Sequence, residues 1–261
     1  MNAHAAEGAA PPLLEVDRVS KSFGGVHATD DVSFSVAHGD IHALIGPNGA
    51  GKTTLFNLIT GVYPADKGNI FFEGEALKRQ KVHQIVERGI ARTFQNVELF
   101  EGMTVLENVL VGCHVRTRCG FFGAIAQWPW VRREEKEARA AAMEWLEFTG
   151  VAHAADKRAG DLAFGWQRLV EIARALASEP RLLLLDEPAA GLNAIETRQL
   201  GQLLYNIRDK GITLLLVEHD MDLTMEVSDR VVVLDQGRKL AEGTPRQVQA
   251  DERVIAAYLG T

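Results

Sequence analysis

The sequence of 261 residues is poor in cysteine, in long apolar runs and in excess positive charge. Its two cysteines, Cys113 and Cys119, suit a reduced cytoplasmic setting, and their spacing without a companion cysteine argues against a zinc site. No apolar run approaches the roughly 18–20 residues that a membrane-spanning helix needs. A net charge of −7 argues against a nucleic-acid surface, which would present a clustered basic face.

The amino-terminal stretch, residues 1–12, is rich in alanine and has neither the basic start nor the apolar segment of a signal peptide. We expect these residues to form a flexible tail. The overall composition, with 46% hydrophobic and 24% charged residues, is ordinary for a globular protein. Residues 13–261 are long enough to bury a full core, either as one large domain or as a domain with a sub-lobe.

A glycine-rich loop matches the pattern G-x-x-x-x-G-K-[ST] of phosphate-binding loops. The apolar run 41–45 before it predicts a buried strand, and residues 53–59 after it predict a helix, so the loop has the flanks that such a site requires. We call this segment the phosphate loop; it consists of Gly46, Pro47, Asn48, Gly49, Ala50, Gly51, Lys52, Thr53 and Thr54.

The residue types of the phosphate loop suit a nucleoside triphosphate. Glycines let backbone N–H groups approach phosphate oxygens, and the following helix adds unpaired amides and the positive end of its dipole. Lys52 would bridge the β- and γ-phosphates, and the Thr53 hydroxyl would ligate Mg²⁺.

Hydrophobic patterns predict an α/β fold with two kinds of sheet. Residues 13–19 and 32–36 alternate apolar and polar side chains and, with residues 70–72, predict an antiparallel sheet beside the nucleotide. Solid apolar runs separated by helical stretches are typical of parallel strands covered on both faces, and they occur at 182–185, 213–217 and 231–234.

The region between these halves, residues 97–161, predicts an inserted helical sub-lobe. Two pairs four residues apart, Arg133–Glu137 and Glu135–Arg139, indicate a solvated helix face rather than a binding patch. Residues 132–148 carry an apolar stripe on the opposite face, at Ala138, Ala141, Ala142, Trp145 and Leu146.

Two carboxylates, Asp186 and Glu187, follow the apolar run 182–185. If this strand ends near the phosphate loop, Asp186 would hold Mg²⁺ through its water shell. Glu187 would then polarise the water that attacks the γ-phosphorus. Acidic residues are common at strand ends, so this interpretation depends on the phosphate loop being present as well.

Together these motifs resemble an ATP-binding subunit of an ABC transporter, over nearly the whole chain from about residue 13 to residue 260. The resemblance implies that Phe23 stacks on adenine and that Gln95 senses Mg²⁺ and the attacking water. It implies that His219 reaches the γ-phosphate with a ring N–H. It also identifies a signature segment, Leu162, Ala163, Phe164, Gly165, Trp166 and Gln167, followed by a helix at 168–178, and a D-loop with Gly191, Leu192 and Asn193.

In this family the signature segment of one subunit closes over the ATP held by another, so the resemblance implies a dimer with itself or with a similar sister subunit. Glycine at position 165 permits the close approach. Ala163 stands where the family usually has a serine that bonds the γ-phosphate, and Asn193 stands where most members have aspartate. We expect a working site whose closure is weaker by roughly 1.5–3 kcal/mol at most.

Residues 97–108, the insert 112–131 and the closing stretch 241–260 resemble the subunits of branched-chain amino acid-type importers. Two interpretations of Val97, Leu99, Phe100 and Met103 stay open, namely the core of the sub-lobe and a groove that receives a helix from a membrane subunit. For Trp128-Pro-Trp130, internal packing is favoured over a partner contact.

The resemblance implies a P-loop NTPase (RecA-like) core at about 13–95 and 162–240, with an antiparallel β subdomain. It adds an inserted helical subdomain at about 96–161 and a C-terminal helix at about 245–259. The activity implied is a Mg²⁺-dependent hydrolysis of ATP, with Glu187, His219, Gln95 and Lys52 as catalytic residues and Thr53, Gln95 and Asp186 around the metal.

The implied function is to power an importer of branched-chain amino acids or related small polar solutes. The partners would be a second ATP-binding subunit, transmembrane permease subunits at the inner face of the cell membrane and, indirectly, a solute-binding protein, with no nucleic acid. The alternative is a soluble ABC ATPase acting on ribosomes or DNA. A single acidic cassette disfavours the first of these, and the lack of a long coiled coil disfavours the second.

Overall fold

A computed structural model describes residues 11–114 and 129–259 of the chain. The strands are β1 Leu14–Phe23, β2 Val26–Val36, β3 Ile41–Ile45, β4 Lys67–Phe72, β5 Glu75–Ala76, β6 Ile90–Arg92, β7 Leu182–Asp186, β8 Thr213–Val217, β9 Arg230–Asp235 and β10 Arg238–Gly243. The α-helices are α1 Lys52–Ile59, α2 Val82–Glu87, α3 Val105–Cys113, α4 Pro129–Thr149, α5 Phe164–Leu176, α6 Ala194–Asp209, α7 Met221–Val227, α8 Pro245–Gln249 and α9 Glu252–Leu259.

Six strands form the central sheet in the order β10-β9-β3-β8-β7-β6. The pairings from β9 to β6 are parallel, and β10 pairs antiparallel with β9 at one edge. Every residue of β3, β7 and β8 is buried, because helices and the second sheet cover both faces. The prediction of buried parallel strands from the solid apolar runs is confirmed.

The second sheet is antiparallel, in the order β2-β1-β4-β5. It shares a hydrophobic core with α1 and one face of the central sheet, in which Leu55, Phe56 and Ile59 of α1 are fully buried. The predicted antiparallel sheet is therefore confirmed, although β1 and β2 are longer than the alternating segments 13–19 and 32–36. The opposite face of the central sheet is covered by α5, α6 and α7.

A third hydrophobic cluster joins α3, α4 and α5. Ala142 and Leu146 of the predicted stripe are fully buried there, while Arg133 and Glu137 form an exposed ion pair of 2.8 Å on the outer side of α4. α4 begins at Pro129, three residues before the predicted start. Among the described residues, no helix is long and apolar enough to span a bilayer.

Two helix boundaries differ from the sequence analysis. The helix predicted at 168–178 begins at Phe164, inside the signature segment, and ends at Leu176. The single C-terminal helix predicted at 245–259 is two helices, α8 and α9, because the chain turns at Ala250 and Asp251. The Asp251 carboxylate accepts a hydrogen bond from the Arg253 N–H and so starts α9 anew.

Some of the predictions concern residues that the structure does not describe. The predicted tail is described only at Pro11 and Pro12, Trp128 lies outside the described residues, and for Trp130 only the backbone helix is described.

Candidate functional site

The carboxyl ends of the parallel strands bring the predicted site residues to one edge of the central sheet. The phosphate loop follows β3, the segment 93–95 follows β6, Glu187 follows β7 and His219 comes two residues after β8. Parallel strands place their carboxyl ends at the same edge, which is where open α/β sheets bind ligands. Residues far apart in the sequence thereby meet in one cleft.

The phosphate loop folds around the side chain of Lys52. The Lys52 Nζ donates hydrogen bonds to the carbonyl oxygens of Gly46, at 2.7 Å, and Pro47, at 3.0 Å. Lys52 is buried, and burial lowers the pKa of its ammonium group, while the nearby carboxylates of Glu187 and Asp186 act in the opposite direction. The ammonium therefore sits in the loop with the two acidic side chains close by.

Two glycines of the phosphate loop cannot be replaced without moving backbone. A Cβ on Gly46 would lie 2.1 Å from the carbonyl oxygen of Leu234, and one on Gly51 would lie 2.3 Å from that of Ala28. Gly51 has a φ of 100° and begins α1 without a side-chain cap or an acidic residue in the first turn. The first amides of α1 are thus left for an anion such as a phosphate, which is the requirement of such a loop.

Glu187 lies at the centre of a three-residue cluster with Gln95 and His219. The Gln95 Nε2 donates to one carboxylate oxygen of Glu187 at 2.8 Å, and the His219 Nε2 lies 2.9 Å from the other. Glu187 has a φ of 49°, a left-handed conformation that costs a non-glycine residue about 1–2 kcal/mol. The Glu187 N–H is anchored to the carbonyl of Val217 at 2.8 Å. The structure thus brings three of the four predicted catalytic side chains into direct contact, with backbone strain at the residue predicted to act on water.

Asp186 is buried beside Arg92, a residue that was not predicted to belong to the site. The Arg92 Nη2 lies 2.7 Å from the Asp186 carboxylate, and the two side chains are only 9% and 5% exposed. The Arg92 Nη1 donates to the Asn57 Oδ1 at 2.6 Å, and its guanidinium lies over the rings of Phe56 and Phe94. Arg92 therefore fixes the side chain predicted to serve the metal.

Glu218 is a second residue of the site that was not predicted. Its carboxylate accepts hydrogen bonds from the N–H groups of Ala189, at 2.6 Å, and His219, at 3.0 Å. Burial raises the pKa of Glu218, and these backbone donors oppose that shift. Glu218 ties the segment after Glu187 to the backbone of His219, and its position directly before the histidine was the only sequence signal for it.

The oxygen-bearing side chains at this edge suit Mg²⁺. Thr53 offers an exposed hydroxyl, Asp186 a buried carboxylate and Gln95 an amide oxygen. Mg²⁺ prefers such hard oxygen ligands, and it commonly takes only one or two carboxylates in addition to substrate phosphates and water. The residues present fit this metal.

Phe23 lies at the tip of the β1–β2 hairpin and is 43% exposed. Its ring packs edge-to-face on Tyr63, with 5.2 Å between the ring centroids, and the Lys21 Nζ lies 5.4 Å from its centre. These neighbours fix the ring and leave part of it accessible, as stacking on a base requires.

The signature segment enters α5 at Phe164. Ala163 occupies the N-cap position without a side-chain hydrogen bond, so no hydroxyl caps the first amides of this helix. Phe164 and Trp166 are 43% and 41% exposed. A Cβ on Gly165 would lie 2.8 Å from the Glu196 carboxylate, so the start of α5 lies close to the first turn of α6.

Asn193 of the D-loop is engaged within its own chain. Its Oδ1 accepts hydrogen bonds from the N–H groups of Ile195, at 2.9 Å, and Glu196, at 3.1 Å, and the Glu196 carboxylate accepts from the Asn193 N–H at 2.9 Å. This reciprocal arrangement is a capping box for α6. The last residue of the predicted D-loop is therefore the N-cap of a helix.

Residues 97–103 divide between the two interpretations left open. Leu99 is partly buried against the helical cluster, whereas Phe100 is 51% exposed. The buried side chain of Asn108 accepts from the Phe100 N–H at 2.9 Å and donates to its carbonyl at 3.1 Å, so the backbone that presents this ring is fixed. Leu99 belongs to the core, and Phe100 lies on the surface.

Comparisons with known proteins point to one family. The sequence profile of the family described as "ABC transporter" matches residues 29–190, and that of "Branched-chain amino acid ATP-binding cassette transporter" matches residues 238–261. The chain is similar to the high-affinity branched-chain amino acid transport ATP-binding protein BraF of Pseudomonas aeruginosa, with 46% identity over 95% of this chain and 98% of that protein. For the corresponding LivG protein of Escherichia coli K12, the identity is 45% over the same shares.

The fold is similar to that of a solved ATP-binding cassette. The structure of the ADP conformation of MJ1267, an ATP-binding cassette of an ABC transporter, matches with a TM-score of 0.84 and 35% identity. The match covers 97% of this chain and 100% of that one.

We predict that Arg92→Met lowers the free energy of unfolding by about 3 kcal/mol, because it leaves the buried Asp186 without its partner while keeping an apolar stem. Urea unfolding of the full chain measures this. The control is Arg133→Met, which breaks the exposed pair with Glu137 and should leave the unfolding midpoint unchanged. Equal effects of the two substitutions would contradict the importance given to the Arg92–Asp186 pair.

We predict that Asn193→Ala lowers the free energy of unfolding by about 1 kcal/mol, because it removes the cap of α6. Asn193→Asp keeps an oxygen at the same place and should retain the stability of the parent. Thermal and urea unfolding of both variants give the comparison. A loss of the same size in Asn193→Asp would show that the cap is not responsible.

Proposed function

The chain belongs to the ABC transporter family, and from this premise we propose that it is the ATP-hydrolysing subunit of an importer for branched-chain amino acids. The similarity to BraF and LivG extends over almost the full length of both chains, and the profile match at residues 238–261 adds the C-terminal segment. The observation that carries the hydrolytic activity is the Glu187 carboxylate, held between Gln95 and His219 at the edge that bears the phosphate loop.

In this proposal the residues of the cluster act on a water molecule and on the γ-phosphate. The Glu187 carboxylate orients the attacking water and accepts its proton, since it is the acceptor that Gln95 and His219 hold in place. Lys52 would exchange its hydrogen bonds with the carbonyls of Gly46 and Pro47 for phosphate oxygens. Lys52 and His219 would then stabilise the charge that develops as the terminal phosphate is transferred.

Mg²⁺, when bound with the nucleotide, supplies positive charge that neutralises the phosphate oxygens. Thr53, Asp186 and Gln95 are the residues that would hold it. Asp186 keeps its position through Arg92, and the Gln95 amide is already fixed on Glu187. Phe23 would stack on the adenine at the hairpin tip.

The proposal includes a dimer in which the signature segment of each subunit covers the ATP of the other. The uncapped start of α5 and the exposed rings of Phe164 and Trp166 support this role, because unpaired helix amides attract phosphate. Binding of ATP would favour the closed dimer, and hydrolysis would favour its opening. The same contacts could pair two copies of this chain or one copy with a sister subunit.

The proposal places the protein at the inner face of the cell membrane, bound to permease subunits and coupled through them to a solute-binding protein. The exposed Phe100, on a backbone fixed by Asn108, is the surface that we propose for a permease helix. No observation favours action on ribosomes or DNA.

The proposal is tested in two ways. A tagged full-length chain is purified from the organism that encodes it, and uptake of labelled leucine is measured in a strain from which this protein has been deleted. Recovery of permease subunits and reduced uptake are expected, whereas recovery of ribosomes or DNA would overturn the assignment.

We predict that Glu187→Gln leaves binding of a fluorescent ATP analogue intact while it lowers the hydrolysis rate about 10²–10⁴-fold, because the amide cannot accept the proton. A phosphate-release assay and an analogue titration measure the two quantities. The matched control, Glu137→Gln on the exposed face of α4, should hydrolyse ATP like the parent. Substantial turnover by Glu187→Gln would remove Glu187 from the proposed role.

We predict that Ala163→Ser tightens the ATP-dependent dimer, because it adds a hydroxyl that can reach the partner's ATP from the start of α5. The apparent affinity for ATP should rise by up to about tenfold. The gain is smaller than that of a complete hydrogen bond to a charged group, because water can replace part of this bond in the parent. Sedimentation at increasing ATP concentration, in the Glu187→Gln background, measures the dimer. Ala163→Gly is the control without a hydroxyl. An affinity of Ala163→Ser equal to that of the parent would show that the hydroxyl is dispensable.

A further inference from the structure

A buried ion pair on α5 holds the backbone of the segment that carries Gln95. The Arg168 Nη1 donates to the Phe94 carbonyl and its Nη2 to the Gln95 carbonyl, both at 2.8 Å. The Glu171 carboxylate accepts from the Phe94 N–H at 3.1 Å and from the Arg168 Nη1 at 2.9 Å. Both side chains are 1% exposed. Because the Arg168 guanidinium is planar and donates to two successive carbonyls, it fixes the orientation as well as the position of this backbone.

The pair acts where the sheet stops holding the chain. The Thr93 N–H still donates to the Leu184 carbonyl at 2.9 Å, as a continuation of the pairing between β6 and β7. One residue later, the Phe94 N–H and the carbonyl oxygens of Phe94 and Gln95 bond to side chains of α5 instead. The Gln95 side chain is therefore placed on Glu187 by a backbone that the sheet holds at Thr93 and α5 holds from Phe94 onward.

The same arginine contacts the signature segment. The Arg168 guanidinium lies over the Phe164 ring, 5.5 Å from its centre, and these residues are one helical turn apart on α5. The Phe164 ring also lies close to the D-loop, since a Cβ on Gly191 would be 3.0 Å from it. A shift of the start of α5 thus moves Arg168 with it, because a hydrogen-bonded helix turn is stiff.

We propose that Arg168 and Glu171 are positioning residues that couple the signature segment to Gln95. This inference rests on the proposed function. It adds a connection between the signature segment, which covers the partner's ATP, and the cluster around Glu187, which acts on water. When the signature segment engages the ATP of the partner subunit, the position of α5 sets the position of the Phe94 and Gln95 backbone. The Gln95 amide then holds the Glu187 carboxylate in its working orientation, so that hydrolysis at one site depends on closure over the other.

If the pair served only stability, its loss would lower ATP hydrolysis only as far as it lowered the thermal midpoint. The experiment therefore uses a variant that should stay folded. Replacement of a buried ion pair by apolar residues of similar size is often neutral or stabilising, so Arg168→Met/Glu171→Met should keep the thermal midpoint of the parent. It removes all of the described hydrogen bonds from α5 to Phe94 and Gln95. The matched control is Arg133→Met/Glu137→Met, which removes an Arg–Glu pair from the exposed face of α4.

ATP hydrolysis by the full-length chain is measured at protein concentrations that span dimer formation. In the Arg168→Met/Glu171→Met variant, kcat should fall about 10–100-fold with KM for ATP within about twofold, because misplacement of a catalytic group affects the reaction more than binding. Arg168→Lys, which keeps the positive charge, should also have a kcat below that of the parent. An ammonium group cannot donate to both carbonyls as the planar guanidinium does. The control pair should match the parent in both constants.

The outcomes separate the two proposals. If the parent hydrolyses ATP, Glu187→Gln does not, and the double methionine variant keeps the parent kcat with an unchanged thermal midpoint, the coupling is wrong and the proposed function stands. If neither the parent nor the double variant hydrolyses ATP, the proposed function itself fails. A loss of kcat that merely follows a lowered thermal midpoint would also overturn the coupling, because an unfolded fraction would then explain it.

Discussion

The Glu187 carboxylate is the point on which the site geometry depends, and it is held from two sides by groups that arrive on different strands. Gln95 comes after β6 and His219 after β8, and each contacts a different carboxylate oxygen. Glu187 itself adopts a left-handed backbone conformation, and its N–H donates to the carbonyl of Val217 at the end of β8. The parallel arrangement of the three strands is therefore what makes the cluster possible, since it brings their carboxyl ends to one edge.

Around this cluster, charged side chains fix loops that the sheet alone leaves free. Arg92 holds Asp186, Glu218 holds the backbone of Ala189 and His219, and Arg168 holds that of Phe94 and Gln95. In each case a buried charge bonds to neighbouring groups, which compensates for the loss of water. These loops follow β6, β7 and β8, which have five residues or fewer. Because such short strands hold little of the chain, the buried charged side chains mainly set the shape of the loops.

Much of the fold was predictable because the apolar runs of the central sheet have the length of strands and are too short for buried helices. β3, β7 and β8 are buried on both faces, and their sequences show it directly. The phosphate loop was predictable for a similar reason, since its pattern is local. The start of α5 was not, because Ala163 offers no capping side chain and Gly165 is a weak helix former. The break between α8 and α9 was missed because Asp251, in a helical pattern, has the appearance of an ordinary surface residue.

The supporting charges could not be predicted because their partners are distant in sequence. Arg92 and Asp186 are separated by 94 residues, and Arg168 and the Phe94 carbonyl by 74. An arginine at helical spacing from a glutamate, as at 168 and 171, is typical of an exposed face, and only packing shows that this pair is buried. A buried ion pair is weak support for stability, because apolar residues fill the same space without loss of hydration. The pair at 168 and 171 is better explained by what it orients, since its donors and acceptor bond to backbone atoms of the segment that places Gln95 on Glu187.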